Sequence, residues 1–144
     1  MGLASYEGSC HCGAVRVALN LTKPAAETQL RACQCTFCTR RGTRTIADPQ
    51  GRARLSAASP EALIRYQFGS KTANYLICRT CGTYLAAVLE TEGRRLAVIN
   101  VAGLAIDEFR DREPSPVNYD GESAADRVER RRANWMPIEF QWGS

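Results

Sequence analysis

The chain has no long apolar run. None of its 144 residues lies in a stretch that approaches the roughly 18 consecutive apolar residues of a membrane helix. Its first residues also lack the basic start and apolar segment of a secretory signal. These two absences predict a protein that neither contacts a membrane nor is secreted.

Internal repeats, long linkers and low-complexity tracts are also missing. Apolar residues make up 44% and charged residues 24% of the chain, which is ordinary globular usage and argues against bulk disorder. A chain of 144 residues can form one self-supporting core, so we predict a single domain over residues 1–144. The net charge of +4 permits small anionic ligands. Its arginines are not interleaved with aromatic residues, so nucleic acid is not an expected partner.

What the chain does have is seven cysteines in three tight clusters. The clusters are Cys10 and Cys12, then Cys33, Cys35 and Cys38, then Cys78 and Cys81. Thiols one or two residues apart suit a shared metal ion better than a disulfide framework, because the thiolates must converge on one point about 2.3 Å away. An odd number of clustered cysteines without a secretory signal also predicts a reducing, cytoplasmic location. The alternative is seven unrelated core or redox cysteines.

The first and third clusters are predicted to form one closed zinc site. Each is a pair of cysteines beside a predicted strand and is followed by a glycine, Gly13 or Gly82, which lets the backbone turn tightly. Two such knuckles separated by a long insertion are typical of a zinc ribbon, whose metal contributes folding free energy directly. The predicted structural ligands are Cys10, Cys12, Cys78 and Cys81.

The middle cluster is left with three thiolates and predicts an open zinc site. Three thiolates on Zn²⁺ leave a net charge of about −1 by counting ligand charges, so the ion is a weaker Lewis acid than one held by three neutral histidines. Such a site favours binding an incoming thiol as its nucleophilic thiolate over activating water. The predicted catalytic residues, which are also the predicted ligands of this second zinc, are Cys33, Cys35 and Cys38.

Histidine is nearly absent, and His11 is the only one. It lies between two ligands of the predicted closed site, so we favour a water or a substrate atom over His11 as the fourth ligand of the open site. Zinc deaminases are excluded, because they need H-x-E and P-C-x-x-C, whereas Cys12 and Gly13 follow His11 and Ile77 precedes Cys78. A middle cluster with no resting metal, or a weakly bound one, remains an alternative.

Arginines follow the middle cluster directly. Guanidinium groups pair bidentately with carboxylates, so Arg40, Arg41 and Arg44 are candidate substrate-binding residues for an anionic thiol. A solvated basic turn is the alternative interpretation of this segment. The later run of three arginines at 130–132 is interpreted as a solvated face.

Alternating apolar residues predict short strands. The predicted strands cover residues 14–21, 43–46, 52–55, 73–77, 83–89 and 96–101. A helical turn is predicted from 59–61 to about residue 66, because Ser59 can cap it and Pro60 suits the first helical position. Residues 123–134 are a candidate polar helix with Ser123 as its cap. Residues 114–118 are predicted to be a loop, and residues 135–140 to pack against the sheet.

Three motifs in a fixed order identify a family. They read Gly-Ser-Cys-His-Cys-Gly at 8–13, Cys-x-Cys-x-x-Cys-Thr-Arg-Arg at 33–41 and Cys-x-x-Cys-Gly-Thr at 78–83. Together they resemble the glutathione-dependent formaldehyde-activating family, whose domain centromere protein V shares. Segments 98–101, 119–122 and 135–137 extend the resemblance over nearly the whole chain.

The resemblance implies a mainly β fold, the Mss4-like zinc-containing antiparallel β fold with short helical turns. It also implies that the first and third clusters hold a structural zinc and that the middle cluster holds a catalytic one. The implied activity is formation of S-(hydroxymethyl)glutathione from glutathione and formaldehyde, formally a carbon–sulfur lyase run in reverse. The implied partners are therefore a small thiol such as glutathione and a small aldehyde.

One residue departs from the family pattern. Gln34 stands where many members carry histidine, and an amide cannot shuttle protons near neutral pH. The alternative function is a non-catalytic, zinc-dependent thiol-binding or interaction module, because a shared fold does not fix function.

Overall fold

A computed structural model of the protein describes residues 4–143 and has a mainly β architecture. This part of the chain forms one mixed sheet of eleven strands, with two α-helices and three short 3-10 turns. The strands are β1 (Ala4–Ser9), β2 (Arg16–Leu21), β3 (Arg31–Cys33), β4 (Thr45–Ile46), β5 (Arg52–Ala57), β6 (Leu63–Tyr66), β7 (Asn74–Cys78), β8 (Tyr84–Thr91), β9 (Arg94–Asn100), β10 (Ser115–Val117) and β11 (Met136–Trp142). The helices are α1 (Thr36–Thr39) and α2 (Ala124–Asn134), and the 3-10 turns are Ala25–Glu27, Pro60–Ala62 and Asp107–Phe109.

The sheet branches at β9. One edge of β9 pairs with β8, and the sheet continues from there to β7 and β6. The other edge is divided, because β11 pairs with residues 96–97 and β4 pairs with residues 99–100. From β11 the sheet runs through β5 and β2 to β1, and from β4 it runs through β3 to β10. The segment after β3 and the start of β8 meet at this branch, where the ring centroids of Phe37 and Tyr84 lie 4.9 Å apart.

Most strand pairs are antiparallel, and the prediction of a mainly β fold is confirmed. Two pairs are parallel, namely β3 with β10 and β5 with β11. Each parallel pair joins strands that are far apart in sequence, because a parallel pair needs a long crossover connection.

The core follows the predicted alternation in β2. Val17, Leu19 and Leu21 are buried, whereas Arg16 is exposed. By contrast, residues 84–89 at the start of β8 are all buried, because both faces of this central strand are covered. Each large aliphatic side chain buried in this way contributes roughly 1.5–3 kcal/mol relative to exposure.

Two local predictions are wrong. The helical turn predicted to reach residue 66 ends at Pro60–Ala62, because Leu63–Tyr66 forms β6 and pairs with β7. The predicted loop at 114–118 contains β10, which is held by pairing with β3. The sequence has little local signal for either strand, since both depend on partners distant in sequence.

Helix α2 confirms the candidate helix at 123–134. The Ser123 Oγ accepts a hydrogen bond from the Asp126 N–H at 3.1 Å, which caps the helix.

Residues 136–142 pack against the sheet as β11, between β5 and β9. Among residues 4–143, neither helix has the length and apolar character needed to cross a membrane.

Candidate metal centres

The sulfurs of the first and third clusters converge on one point. The Sγ atoms of Cys10, Cys12, Cys78 and Cys81 all lie within 4.8 Å of one another. The Cys10–Cys12 and Cys12–Cys78 sulfur pairs are each 3.7 Å apart. A tetrahedral ion with metal–sulfur bonds of about 2.3 Å requires sulfurs about 3.8 Å apart, so this cluster fits Zn²⁺.

The backbone of both knuckles has the same form. Gly13 and Gly82 have φ angles of 83° and 79°, in the left-handed region that glycine adopts without strain. The Val15 N–H donates to the Cys10 Sγ at 3.4 Å. Backbone N–H groups directed at sulfur stabilise the negative charge that a metal-bound thiolate carries.

Thr83 supports the second knuckle. Its Oγ1 lies 3.2 Å from the Cys81 Sγ and accepts a hydrogen bond from the His11 backbone N–H at 3.4 Å. Burial raises the pKa of Cys81, but the Thr83 hydroxyl and backbone amides outweigh it and lower the pKa to about 5. Burial also raises the pKa of Cys78, to about 12, and here it prevails. Among the described residues, His11 belongs to neither sulfur cluster.

The middle cluster lies where β3 passes into α1. Cys33 is the last residue of β3, Cys35 caps α1, and Cys38 lies within the helix. Their three Sγ atoms lie within 4.8 Å of one another, and the Cys38 N–H donates to the Cys35 Sγ at 3.4 Å. Cys38 is buried, whereas Cys33 and Cys35 are half-buried, so the cluster faces outward on one side.

The three middle thiols favour a single negative charge, on Cys35. Hydrogen bonding from Cys33, and then from Cys38, lowers the pKa of the Cys35 thiol to about 2. The same sulfur contacts raise the pKa of Cys38, and the contact with Cys35 raises that of Cys33. Three closely spaced thiolates need a cation to stabilise them, and soft sulfur ligands fit Zn²⁺.

An aromatic wall stands behind the middle cluster. The Phe37 ring centroid lies 5.8 Å from Tyr66, 5.2 Å from Phe68 and 4.9 Å from both Tyr75 and Tyr84. Phe37 and Tyr84 are buried, 5% and 4% exposed. These aromatic rings pack against the three cysteines.

Two cavities meet at Cys33. The inner cavity, about 60 Å³, extends under the sheet to Tyr84, Val98 and Trp135. The outer cavity, about 290 Å³, opens along Gln34, Cys35, Phe68 and Asp120. The residues that line both cavities are Cys33, Tyr75, Tyr119, Arg130 and Arg131. A ligand at the middle cluster can therefore contact a smaller cavity on one side and a larger one on the other.

The predicted substrate-binding arginines do not line either cavity. The Arg41 guanidinium lies 3.9 Å above the Phe37 ring and donates to the Phe37 carbonyl at 3.1 Å. Arg40 lines the same depression as Arg41, on the other side of Phe37. Arg44 donates to the carbonyls of Arg110 and Arg112 and lines a separate pocket. The structure thus places these three side chains outside the linings of the two cavities, and their role in substrate binding stays a prediction.

The arginines of α2 occupy that position instead. Arg127 and Arg130 both pair with Glu122, at 3.2 and 3.0 Å, and the Arg130 guanidinium lies 3.4 Å above the Tyr119 ring. Arg131 is buried, so the interpretation of 130–132 as a solvated face is wrong at this residue. The burial of Arg131 could have been predicted from the sequence, because Val128 and Arg131 in α2 and Trp135 directly after it follow helical spacing.

Gln34 lines the outer cavity, but its side-chain amide is already engaged. The Gln34 Nε2 donates to the Ala32 carbonyl at 2.7 Å. This hydrogen bond steadies the chain between Cys33 and Cys35.

Comparison with known proteins decides the family. The model of the glutathione-dependent formaldehyde-activating enzyme family matches residues 5–119. The chain belongs to the glutathione-dependent formaldehyde-activating family. A crystal structure of a Rhodobacter sphaeroides protein is also similar, with 35% identity and a TM-score of 0.58. The alignment covers 76% of this chain and 97% of that one.

The family match includes all three cysteine clusters and both knuckle glycines. It ends at residue 119, before α2 begins. Arg127, Arg130, Arg131 and Trp135 therefore lie outside the matched residues, although they line the cavities beside the middle cluster.

Proposed function

We propose that this protein is a zinc-dependent carbon–sulfur lyase-type enzyme acting as a single domain. It would activate glutathione, or a similar small thiol, for reversible addition to formaldehyde or another small aldehyde. One observation carries the proposal: the half-buried Cys33 lies where a small inner cavity meets a larger outer cavity. Two reactants of unequal size can thus approach one sulfur cluster from two sides.

The two sulfur clusters suit different tasks. The four-sulfur cluster would hold a closed, structural Zn²⁺ through Cys10, Cys12, Cys78 and Cys81. The three-sulfur cluster would hold a second Zn²⁺ through Cys33, Cys35 and Cys38. When bound there, zinc supplies a position for a thiol and favours its thiolate form.

The cavities support an assignment of reactants by size. The outer cavity, about 290 Å³, admits a peptide-sized thiol, whereas the inner one, about 60 Å³, admits only a small carbonyl compound. The rings of Tyr75 and Tyr84 form part of the lining of the inner cavity. When both reactants are held in contact, a bimolecular step becomes effectively unimolecular. This change is a recognised source of rate enhancement.

The chemical step forms one bond and moves one proton. The thiol sulfur bonds to the carbonyl carbon, and the electrons of the carbonyl double bond move to oxygen, which then takes a proton. Tyr75 and Tyr119 line both cavities, so their phenol O–H groups are candidate proton donors to this oxygen. Gln34 is not needed for proton transfer and instead fixes the backbone beside Cys33.

A cytoplasmic location belongs to the same proposal. All seven cysteines are unpaired in the structure, which a reducing compartment favours. Glutathione-type thiols are the expected partners in such a compartment.

Magnetisation-exchange NMR on an equilibrated glutathione–formaldehyde mixture tests the function. We expect the zinc-loaded protein to accelerate exchange between free and hydroxymethylated glutathione, and Cys35→Ser to remove the acceleration while the fold persists. As controls, the zinc content and the thermal unfolding midpoint of the variant are measured, to show whether the metal and the fold are retained. Unchanged exchange at high protein concentration would instead favour a non-catalytic thiol-binding module.

A further inference from the structure

Arg131 is a buried cation with no acidic partner among residues 4–143. It is 7% exposed, and its side-chain hydrogen-bond partners, Thr72 and Tyr75, are hydroxyl groups. One terminal nitrogen donates to the Thr72 Oγ1 at 2.8 Å, and the other lies 3.5 Å from the Tyr75 hydroxyl. Its Nε has no hydrogen-bond partner within the described chain, and the guanidinium carbon lies 4.7 Å from the Trp135 ring centroid.

The neighbouring arginines differ in this respect. Arg127 and Arg130 share Glu122, and Arg132 pairs with Glu92 and Glu129. Burying a charge without a partner is costly, so the buried guanidinium needs an anion in the cavities that it lines, either the sulfurs of the middle cluster or a bound ligand.

The position of Arg131 indicates where that anion would lie. Arg131 lines both the inner and the outer cavity, beside Cys33 and Tyr75. The other charged side chains on these cavities are mainly cationic: Arg31 on the inner one, Arg127 on the outer one and Arg130 on both, with Asp120 as the one acidic side chain among the described residues. Two of the α2 arginines share the single carboxylate of Glu122, so the site retains excess positive charge.

We propose that Arg131 is a specificity-determining residue that binds the carboxylate of a substrate at the middle cysteine cluster. This rests on the proposed function for the identity of the reactants, and it narrows their class to acidic ones. The carboxylate has two possible sources: the thiol, such as glutathione, in the outer cavity, or a small oxo-acid in the inner cavity. A planar guanidinium suits both, because it matches carboxylate geometry bidentately.

Binding to the zinc-loaded protein tests this without turnover. The probes are S-methylglutathione, whose sulfur cannot form a thiolate, and glyoxylate. Each is compared with an uncharged counterpart, the diethyl ester of S-methylglutathione and acetaldehyde. The readout is the chemical shift of the Trp135 indole N–H, because that ring lines the inner cavity and contacts Arg131.

We expect Arg131→Gln to weaken binding of at least one carboxylate probe by about tenfold to a hundredfold, as for loss of a charged hydrogen bond. Binding of the uncharged counterpart should not change. Arg131→Lys should retain part of the affinity, and Arg132→Gln, which removes the same charge one residue away, should retain all of it. An effect confined to S-methylglutathione identifies the thiol as the carboxylate source, and one confined to glyoxylate identifies the carbonyl compound.

Three results would overturn the proposal. The first is no binding of either carboxylate probe to the unaltered protein. The second is equal weakening of charged and uncharged probes. The third is loss of zinc from the middle cluster of Arg131→Gln without selective loss of carboxylate binding, which would mean that Arg131 only balances the thiolates. None of these results depends on exchange activity. The proposed function can therefore fail while the proposal for Arg131 stands, and the proposal for Arg131 can fail while the proposed function stands.

Discussion

The Sγ atoms of Cys12 and Cys78 lie 3.7 Å apart, although 66 positions separate the two residues in the sequence. Cys12 follows β1, whereas Cys78 ends β7, and these two strands lie in different arms of the branched sheet. A metal at this point would therefore tie the two arms together.

Cys78→Ser should destabilise the protein strongly. Cys78 is fully buried, and loss of a metal ligand belongs to the small class of substitutions that cost more than about 4 kcal/mol. Urea unfolding with parallel zinc analysis measures this effect. Cys35→Ser is the control, and we expect it to lose at most one zinc and to keep most of the free energy of unfolding. Equal destabilisation by both variants would contradict the division into a closed and an open site.

Gly82→Ala should destabilise the second knuckle through the backbone alone. The φ angle of Gly82 is +79°, and an added Cβ would meet nothing within 4 Å. The expected loss is roughly 1–2 kcal/mol, the cost of a left-handed conformation for an L-residue. Gly82→Asn should cost less, because asparagine tolerates this region better. Chemical unfolding of the two variants, with zinc release to a chelator as a second readout, checks the order. Equal stability of Gly82→Ala and the unaltered protein would show that the knuckle can relax.

Arg41→Gln should leave thiol binding nearly unchanged. Its guanidinium is engaged with the Phe37 ring and carbonyl on the far side of the aromatic wall. Loss of the cation–π contact should cost about 0.5–1 kcal/mol of stability. Titration of S-methylglutathione into the variant measures the first effect, and thermal unfolding measures the second. A large loss of affinity would support the substrate site that the sequence predicts at Arg40, Arg41 and Arg44.

Glu122→Gln should make the free energy of unfolding less sensitive to pH in the acidic range. Hydrogen bonding from Arg130, and then from Arg127, lowers the pKa of Glu122 below its ordinary value of 4.5. A carboxyl group with a lowered folded-state pKa stabilises the protein above the unfolded value, and this contribution is lost as pH falls through the folded-state pKa.

The pH window therefore lies at and below about 4.5, and the contribution is at most about 1 kcal/mol for a partly exposed ion pair. Urea midpoints across this range should fall less steeply for Glu122→Gln than for the unaltered protein. Glu129→Gln on the exposed face of α2 is the matched control. Parallel pH profiles for all three proteins would contradict the role given to the Glu122 pairs.

Sequence spacing alone was sufficient to group the cysteines. Cys10 with Cys12 and Cys78 with Cys81 each precede a glycine, and both glycines adopt positive φ, so the two similar knuckles are recognisable from their residue pattern. The alternation in β2 was equally direct, because one face of that strand is buried and the other is not.

Features that depend on distant pairing were not visible in the sequence. Strand β10 is only three residues long and exists because it pairs in parallel with β3. The sequence also could not show that Arg40 and Arg41, which directly follow the middle cluster, line a different depression from the two cavities beside it. Arg131 lies 93 positions beyond Cys38 and reaches the site only because α2 packs beside it, so no local pattern could connect the two.

The start of β8 links the two sulfur clusters. Tyr84 begins that strand three positions after Cys81, and its ring also forms the inner wall beside Phe37. An empty four-sulfur knuckle would leave this wall unsupported, whereas an empty three-sulfur cluster leaves the knuckle intact. We therefore expect metallation in a fixed order, with the four-sulfur site filled first and the middle cluster competent only afterwards. If both sites bind zinc as proposed, the proposed activity would disappear under zinc scarcity well before the folded protein does.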